Sequence, residues 1–428
     1  ALRGSLADFV DTIGYDDVGV LPRDYAPAAE LKRREGGPRA LRFQVEGAEQ
    51  LSVGNVGDTR EKIVRALGAS DLKDAYRRLL SAISNPTPLN VVGAPRLKRA
   101  ERGLLSLPAV KFYEKDGGRY LTSAIFVACY DGICNASVHR VMVIDERTAA
   151  VRLVPRHLWY LYNKAASRGE RLPVTVIVGV HPAILLLAAS SPPLGVFELE
   201  CASTAVGGLE AYESPLHRNK VPLAAAAVVE GYLTEEMVDE GPFVEAMGGY
   251  DRVRRQPVLR VSEVYLNPDE ITHVILPGGL EHGMFMGFPR EAAIYDAVSK
   301  VVPEVVAVRL TRGGGTWLHA VVSIKKSHDG DPKNAIMAAF AAHPSLKHVV
   351  VVDDDINVDD PVDVEWAIAT RFQADRGLVV ITRARGSTLD PSAVEDGMTS
   401  KVGIDATKPL GGDVRFEKAR IPGLTGRA

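Results

Sequence analysis

Cysteine, asparagine and glutamine are all scarce in this chain. Only Cys129, Cys134 and Cys201 occur, beside nine Asn and four Gln in 428 residues. Three cysteines cannot all pair and no Cys-x-x-Cys is present, so we expect neither a disulfide framework nor a cysteine-based zinc site. Because Arg, Glu, Asp and Pro are plentiful while thermolabile residues are few, the composition predicts a thermophilic source.

Long apolar runs and an excess of charge are also missing. The longest apolar stretches, such as "VTVIVGV" and "VPLAAAAVV", are far shorter than a membrane span. The first residues, "ALRGSLADFV", lack an apolar signal core. The net charge of −3 gives no reason to expect nucleic acid or an anionic membrane as a partner. We therefore expect a cytoplasmic protein that binds neither.

The pattern of apolar residues changes twice along the chain, which is long enough for two to four domains. Residues 1–105 predict an α/β region, in which Ser5, Thr59 and Ser70 are candidate helix caps. Residues 106–288 predict mainly β-structure with inserted helices. Residues 289–428 alternate strand and helix, which favours a parallel or mixed sheet covered by helices.

Three stretches of the last third offer weak signals for chemistry. The acidic run 349–360, "VVVVDDDINVDD", resembles the metal motif of nucleotide-sugar glycosyltransferases, but its aspartates can equally cap a helix that begins near Pro361. "TRGGGTWLH" lacks the order of a phosphate loop and favours a turn between strands. Lys325 and Lys326 fit a solvated turn or an anion contact.

The stretch "DEGPFVEAMGGYD", residues 239–251, contains two glutamates whose spacing is informative. Glu240 and Glu245 are five residues apart, which on a helix separates them by roughly 140°. On a strand they would point to opposite faces. Only a curled loop could aim both carboxylates at one point, and Gly241-Pro242 is a turn signal.

The stretch "CNASVHRVMVID" places Arg140 at the start of an apolar strand. If that arginine is buried, its planar fork needs a carboxylate partner. The alternative is an exposed arginine at a sheet edge. Taken alone, His157 fits a structural role and Glu198 fits a surface carboxylate, so no single stretch decides the function.

The order of the motifs is more specific. The set "NASVHR", "VPRHLWYLYNKA", "PPLGVFELECAS", "VPLAAAAVVEGY", "EGPFVEAMGGY", "SIKK", "HVVVVDDDINVDDPVDVEWAIATRF" and "SKVGIDATKP" resembles the UbiD family of reversible decarboxylases that use prenylated FMN. The resemblance runs from about residue 105 to about residue 410. It places the acidic run in the family pattern but outside its catalytic site, which argues against a glycosyltransferase.

This resemblance implies a fold and partners. The fold would be an N-terminal α/β domain (1–105), a central FMN-binding split β-barrel (106–288), and a linker helix with a C-terminal α/β domain (289–428). That last domain often mediates oligomerisation in the family, so a homo-oligomer, a dimer or higher, is expected. A flavin prenyltransferase would supply the cofactor.

The resemblance also implies a cofactor site. The family's metal ligands match Asn135, His157 and Glu198, although Glu200 lies only two residues further on. Amide, imidazole and carboxylate ligands suit Mn²⁺ or Mg²⁺, and K⁺ is a further candidate. Prenylated FMN would be bound by Asn135, Ser137, Arg140 and Lys401.

The catalytic residues implied by the resemblance are Arg140, Glu240 and Glu245. Arg140 would grip the substrate carboxylate, Glu240 would hold Arg140, and Glu245 would protonate the carbon that CO₂ leaves. A proton donor at neutral pH needs a raised pKa, which burial beside another carboxylate provides. The chain departs from the family at Ala226, where a glutamate is common, while Glu230 is retained.

The substrate is the least constrained expectation. A compact chain, a thermophile-like composition and the segment "PGGLEHGMFMGFPREAA" (277–293) together favour the archaeal branch that decarboxylates trans-anhydromevalonate 5-phosphate to isopentenyl phosphate. In that segment His282 and Arg290 could meet an anion, and an apolar wall could be formed by Met284, Phe285, Met286 and Phe288; ordinary packing is the alternative. An aromatic or polyprenyl 4-hydroxybenzoate decarboxylase and a non-catalytic flavin-binding paralogue stay open.

Overall fold

The computed structural model describes residues 4–394 and 397–419, and the chain divides into two compact units, Ala1–Pro289 and Arg290–Ala428. The strands of the first unit are β1 (Tyr15–Leu21), β2 (Ala40–Val45), β3 (Leu51–Gly54), β4 (Asn90–Val91), β5 (Lys98–Arg99), β6 (Arg119–Leu121), β7 (Ile125–Tyr130), β8 (Ile133–Val138), β9 (Val141–Val143), β10 (Thr148–Val151), β11 (Leu172–Val178), β12 (Glu210–Glu213), β13 (Lys220–Pro222), β14 (Ala227–Glu240), β15 (Phe243–Val244), β16 (Tyr250–Asp251), β17 (Arg254–Leu266) and β18 (Thr272–His273).

Helices surround these strands. The first unit contains α1 (Leu6–Ile13), α2 (Ala26–Arg34), α3 (Arg60–Ala66), α4 (Leu72–Ser84), α5 (His157–Ala166), α6 (Pro182–Ser190) and α7 (Glu198–Val206). Helix α8 (Leu280–Ser299) spans the boundary between the units. The second unit contains β19 (Glu304–Leu310), β20 (His319–Lys325), α9 (Asp331–Ala342), β21 (His348–Asp353), α10 (Pro361–Arg371), α11 (Ala374–Gly377), β22 (Leu378–Arg385) and β23 (Met398–Asp405). Short 3₁₀ turns lie at Gly103–Ser106, Arg312–Gly314 and Val414–Phe416.

The main sheet of the first unit has the strand order β6-β9-β10-β17-β14-β11-β7-β8, with β5 added beside β17. Neighbouring strands in it are antiparallel. In the part of the chain that the structure describes, the end strands β6 and β8 do not pair with each other, so the sheet is open. Its core lies between one sheet face, which includes Phe126 and Val176, and the buried side of α5.

A smaller sheet, β1-β2-β3-β18, joins the first residues of the chain to Thr272–His273. The strands at residues 90–91 and 98–99 pair with β12 and β17. These two short strands are therefore hydrogen-bonded to sheets of the central region. A domain boundary at residue 105 stays a prediction.

The sheet of the second unit has the order β19-β20-β21-β23-β22. Strands β20, β21 and β23 run parallel, while the edge strands β19 and β22 are antiparallel to their neighbours. The structure thus confirms the predicted classes, a mainly β middle and a mixed α/β end.

Local signals explain most helix ends. The side chains of Ser5 and Thr59 cap α1 and α3 as predicted, each accepting a backbone N–H of the first turn. The prediction for Ser70 is wrong, because Asp71 caps α4 instead. In the acidic run, Asp360 caps α10 and accepts the Val362 N–H at 2.9 Å, which confirms the capping interpretation.

The structure contains one cysteine bridge, which the expectation of no disulfide framework did not foresee. Cys129 and Cys134 form a disulfide, and they are directly opposite each other on β7 and β8. The number of cysteines did not exclude one isolated bridge across a hairpin; it excluded only complete pairing. Cys201 is free and buried.

None of the helices in the described ranges combines the length and the apolar composition that crossing a membrane requires.

Candidate active site

The guanidinium of Arg140, between β8 and β9, is surrounded by three carboxylates. Its Nε and Nη2 donate to the two carboxylate oxygens of Glu240, both at 2.9 Å. Its Nη1 donates to Glu245, and Nη2 reaches Oδ2 of Asp251 at 3.3 Å. The guanidinium carbon lies 4.6 Å from the centre of the Phe243 ring. The structure therefore brings together the three predicted catalytic residues, and Arg140 is not an exposed edge arginine, because only 10% of its side chain is exposed.

A tight hairpin lets both glutamates reach one arginine. Glu240 is the last residue of β14, and the chain turns at Gly241-Pro242. Strands β15 and β16 then pair, which places Phe243 opposite Asp251. The N–H of Glu245 donates to the carbonyl of Gly249 at 2.9 Å and fixes the tip of this hairpin. The curled loop predicted from the spacing is thus a two-stranded hairpin.

The three carboxylates differ in their electrostatics. Burial raises the pKa of Glu245, and the charge of Asp251 acts in the same direction, while the charge of Arg140 opposes both. Burial would also raise the pKa of Asp251, but hydrogen bonds and charge from Arg254 hold it below its usual value. Burial disfavours the Arg140 cation, but the hydrogen bonds to Glu240 and the charges of the three carboxylates together outweigh that cost and raise the pKa of Arg140. Glu245 is therefore the member suited to carry a proton.

A second group of side chains lies at the start of two helices. Asn135 is on β8, His157 is the first residue of α5, and Glu198 is the first residue of α7. The Asn135 amide and the N–H of Ala136 both donate to Glu198 at 2.7 Å, and His157 Nδ1 is 3.7 Å from Glu198 Oε1. The predicted metal ligands are thus adjacent, and the partners of Glu198 favour it over Glu200.

The donor set fits a hard divalent cation beside a phosphate. Within residues 4–394 and 397–419 no group of three or more His, Cys, Asp or Glu side chains is arranged to hold a metal ion, so the amide of Asn135 would be needed as a ligand. Neither α5 nor α7 has a side-chain N-cap, which leaves their first N–H groups available for an anion. Arg156, which precedes α5, bonds Ser191 at 2.8 Å and has no carboxylate partner among the described residues. Metal binding itself stays a prediction.

A short chain of hydrogen bonds links the two groups. Ser137 donates to Oδ1 of Asn135 at 2.8 Å and contacts Nε2 of His139 at 2.9 Å. Nδ1 of His139 lies 3.0 Å from the carbonyl of Arg152, whose N–H donates to the carbonyl of Arg140 at 3.3 Å. Burial lowers the pKa of His139 to about 4, so it is neutral at neutral pH. Ser137 and Asn135 share one face of β8 because they are two residues apart.

Comparison with known proteins bears on the family of this chain. Residues 90–280 match the family model described as the 3-octaprenyl-4-hydroxybenzoate carboxy-lyase Rift-related domain, and residues 283–406 match its C-terminal domain. The anhydromevalonate phosphate decarboxylase of Aeropyrum pernix is 54% identical over 98% of this chain and 96% of its own length. That of Methanothermobacter thermautotrophicus is 44% identical over 96% of this chain and 99% of its own.

The chain belongs to the UbiD family. Among solved structures it resembles the UbiD-class enzyme HmfF from Pelotomaculum thermopropionicum in complex with FMN, with a TM-score of 0.92, 37% identity and 98% coverage of both chains. An evolved dimeric form of HmfF in complex with prFMN gives a TM-score of 0.89 at 34% identity, again over 98% of each chain. The predicted fold and family are therefore confirmed.

Lys401, which the family resemblance assigns to prenylated FMN, already has hydrogen-bond partners within the second unit. Its ammonium donates to the carbonyl of Leu346 at 2.8 Å and to that of Pro344, and it lies 5.4 Å from the centre of the Phe340 ring. Only 4% of the residue is exposed. A contact with cofactor phosphate stays a prediction for Lys401.

Several side chains of the segment 277–293 are buried, which favours ordinary packing over contact with an anion. Met284, Phe285 and Phe288 are buried, and the Phe288 ring centre lies 5.1 Å from that of Tyr76. Burial, with the charge of Arg140, lowers the pKa of His282 to about 4. His282 is therefore neutral at neutral pH and brings no positive charge to a substrate. Arg290 lies over the Trp317 ring at 5.8 Å.

Sequence reasoning missed three charged residues beside Arg140. Asp251 accepts from Nη2 of Arg254 at 2.8 Å, and Nε of Arg152 lies 3.7 Å from it. A signal existed for Asp251, because it closes the "GGYD" end of the motif that contains both glutamates. Arg152 directly follows β10 and Arg254 begins β17, and neither shows a distinguishing pattern in the sequence.

Proposed function

We propose that this chain decarboxylates trans-anhydromevalonate 5-phosphate, using prenylated FMN, and releases isopentenyl phosphate and CO₂. The observation that carries the proposal is the near full-length identity to the two archaeal anhydromevalonate phosphate decarboxylases, of 54% and 44%. The arrangement of Arg140, Glu240 and Glu245 supports it, because Arg140 contacts both glutamates and the three residues would provide a charged clamp and a proton donor.

The cofactor site would be built from the second group. Asn135, His157 and Glu198 would hold Mn²⁺ or Mg²⁺, and the uncapped starts of α5 and α7, with Ser137 and Arg156, would face the cofactor phosphate. When bound, prenylated FMN would supply an electron sink for the substrate double bond. The FMN and prFMN complexes of HmfF support this choice of cofactor.

The reacting groups of the chain have separable tasks. Glu240 is fully buried and grips Arg140 through two parallel bonds, so it fixes the guanidinium plane. Arg140 would bind the substrate carboxylate, which loses its charge as it leaves as CO₂. Glu245 would give its proton to the carbon left behind, since burial favours its neutral form.

The setting of the reaction is part of the same proposal. A flavin prenyltransferase would supply the cofactor, and the protein would act in the cytoplasm of a thermophile as a homo-oligomer, a dimer or higher. The evolved form of HmfF, which is dimeric, is consistent with the last point.

The test uses protein co-expressed with a flavin prenyltransferase, purified without oxygen and supplied with Mn²⁺. We expect a flavin spectrum and CO₂ release from the phosphorylated acid, with none from 4-hydroxybenzoate. Glu245→Gln should keep the flavin and lose about 100-fold or more in turnover, because the proton donor is gone.

Each other result removes a defined part of the proposal. Release of CO₂ from 4-hydroxybenzoate alone would overturn the substrate. Turnover near wild type in Glu245→Gln would remove that residue from its role. A bound flavin without turnover of either acid would favour a non-catalytic paralogue.

A further inference from the structure

Both usable edges of the Arg140 guanidinium are occupied. Arginine has five N–H donors, and a carboxylate binds best as a fork along one edge. Glu240 fills the edge formed by Nε and Nη2. The edge formed by Nη1 and Nη2 is shared, with Nη1 on Glu245 and Nη2 on Asp251 at 3.3 Å. A substrate carboxylate that binds Arg140 as a fork must therefore displace at least the second pair.

The three carboxylates are not equally able to leave. Glu240 is fully buried and makes two bonds of 2.9 Å to Arg140, so its departure is the most costly. Asp251 can leave Arg140 and stay paired, because Arg254 Nη2 donates to it at 2.8 Å. Among the described residues Glu245 has no second cation in contact with it. Its side chain is 19% exposed.

We propose that the substrate carboxylate takes the Nη1–Nη2 edge of Arg140 from Glu245 and Asp251, and that Glu245 takes up one proton from solvent as it leaves. Asp251 stays ionised on Arg254 and acts as a positioning residue beside Glu245. The only bond formed is the O–H of Glu245, and its proton comes from the buffer. The inference rests on the proposed function, since it supplies the proton that Glu245 later gives to carbon.

The charges around Glu245 support its protonation when it leaves Arg140. Arg140 reaches it from the link between β8 and β9, Asp251 from β16, and Arg152 from the segment after β10. His282 of α8 faces Arg140 and is neutral at neutral pH. Burial already raises the pKa of Glu245 with Arg140 in contact, and Arg140 is the charge that lowers it most. Removing that contact raises the pKa further.

The experiment measures protons taken up on binding. The probe is 3-methyl-5-phosphooxypentanoate, the saturated analogue of the substrate, which keeps the carboxylate and phosphate but has no double bond. Titration calorimetry of the flavin- and Mn²⁺-loaded protein at pH 8 in HEPES, Tricine and Tris gives the proton number from the dependence of heat on buffer. At this pH the ligand phosphate is already a dianion.

We expect wild type to take up close to one proton per site and Glu245→Gln to take up none. Glu245→Asp should keep the proton uptake, because its carboxylate still titrates. This variant is the control for loss of uptake in Glu245→Gln through a defect in folding. Over the pH range in which one proton is taken up, the Kd of wild type should rise about tenfold per pH unit, while that of Glu245→Gln stays flat.

Asp251→Asn separates positioning from general stability. Removing a negative charge beside Glu245 lowers the pKa of Glu245. Proton uptake should therefore persist but disappear at a lower pH than in wild type. A loosened fold would not produce this shift. Binding by wild type without proton uptake, or equal uptake by wild type and Glu245→Gln, would overturn the inference. Either result can occur while CO₂ is released from the unsaturated acid, so failure of this inference and failure of the proposed function are distinguishable.

Discussion

Glu240, Glu245 and Asp251 contact the same guanidinium, and the other partners of each carboxylate separate their roles. Asp251 has Arg254 as a second cation, which lowers its pKa. Glu240 is fully buried and commits both oxygens to Arg140. Glu245 has burial and a neighbouring carboxylate, which raise its pKa. We therefore predict that these carboxylates divide into clamp, support and proton carrier through their surroundings.

Glu198 and Glu200 provide a matched test of the metal ligands. Glu198→Ala should lose bound metal and flavin, because Asn135 and Ala136 would lose the carboxylate they bind. Glu200→Ala should retain both within about twofold of wild type. The measurements are metal content by mass spectrometry and flavin absorbance per protein. Equal retention in the two variants would contradict the assignment of Glu198.

At the scale of elements, the first residues of helices and the ends of strands build the sites. His157 and Glu198 begin α5 and α7, and Glu240 ends β14. The hairpin of β7 and β8, which carries Asn135, is closed by the bridge between Cys129 and Cys134. The bridge was not foreseen because a cysteine count does not tell which residues face each other across a hairpin.

Thiol titration tests this bridge. Denatured protein kept without reductant should show one thiol, that of Cys201, and reduced protein should show three. In the native state Cys201 should react slowly, since burial raises its pKa to about 12. The control is Cys201→Ser, which should show no thiol until it is reduced. Three thiols in unreduced wild type would contradict the bridge.

At the scale of the whole molecule, charges of both signs are nearly balanced, with 51 basic and 54 acidic residues. Most ion pairs at the surface contribute little to stability. Partly buried carboxyls without a cation have a larger effect on how stability depends on pH. Glu270 is one of these, because burial raises its pKa to about 6 while Ser5 donates to it at 3.0 Å.

Glu270 makes the unfolding midpoint depend on pH in a defined direction. Its folded-state pKa is raised, so its stabilising effect is present below the unfolded value and is lost as pH rises through about 6. Glu270→Gln should therefore raise Tm by about 1–3 °C at pH 8 and leave it unchanged at pH 4. Thermal unfolding followed by circular dichroism gives both values.

The exposed Glu365 offers the control, since Glu365→Gln should change Tm at neither pH. A gain in Tm that is the same at pH 4 and pH 8 would show that ionisation of Glu270 is not its cause.

Much of the fold followed from local patterns. Alternating strands and helices predicted the second unit, and Ser5 and Thr59 were correct caps. The prediction of Ser70 failed because the neighbouring Asp71 also suits a cap, and only the backbone path decides which residue meets a free N–H.

The sequence by itself determined the family, through the order of its motifs, and with it the set of candidate residues. Tertiary structure decided which residues they contact. Arg140 bonds Glu240 and Glu245, about a hundred residues further along the chain, and Asp251 contacts the same guanidinium without a motif of its own. It also decided that Lys401 contacts main-chain carbonyls and that His282 is neutral. The reason is physical: side-chain type and spacing follow from the sequence, whereas burial and long-range partners, which set charge and reactivity, exist only once the chain has folded.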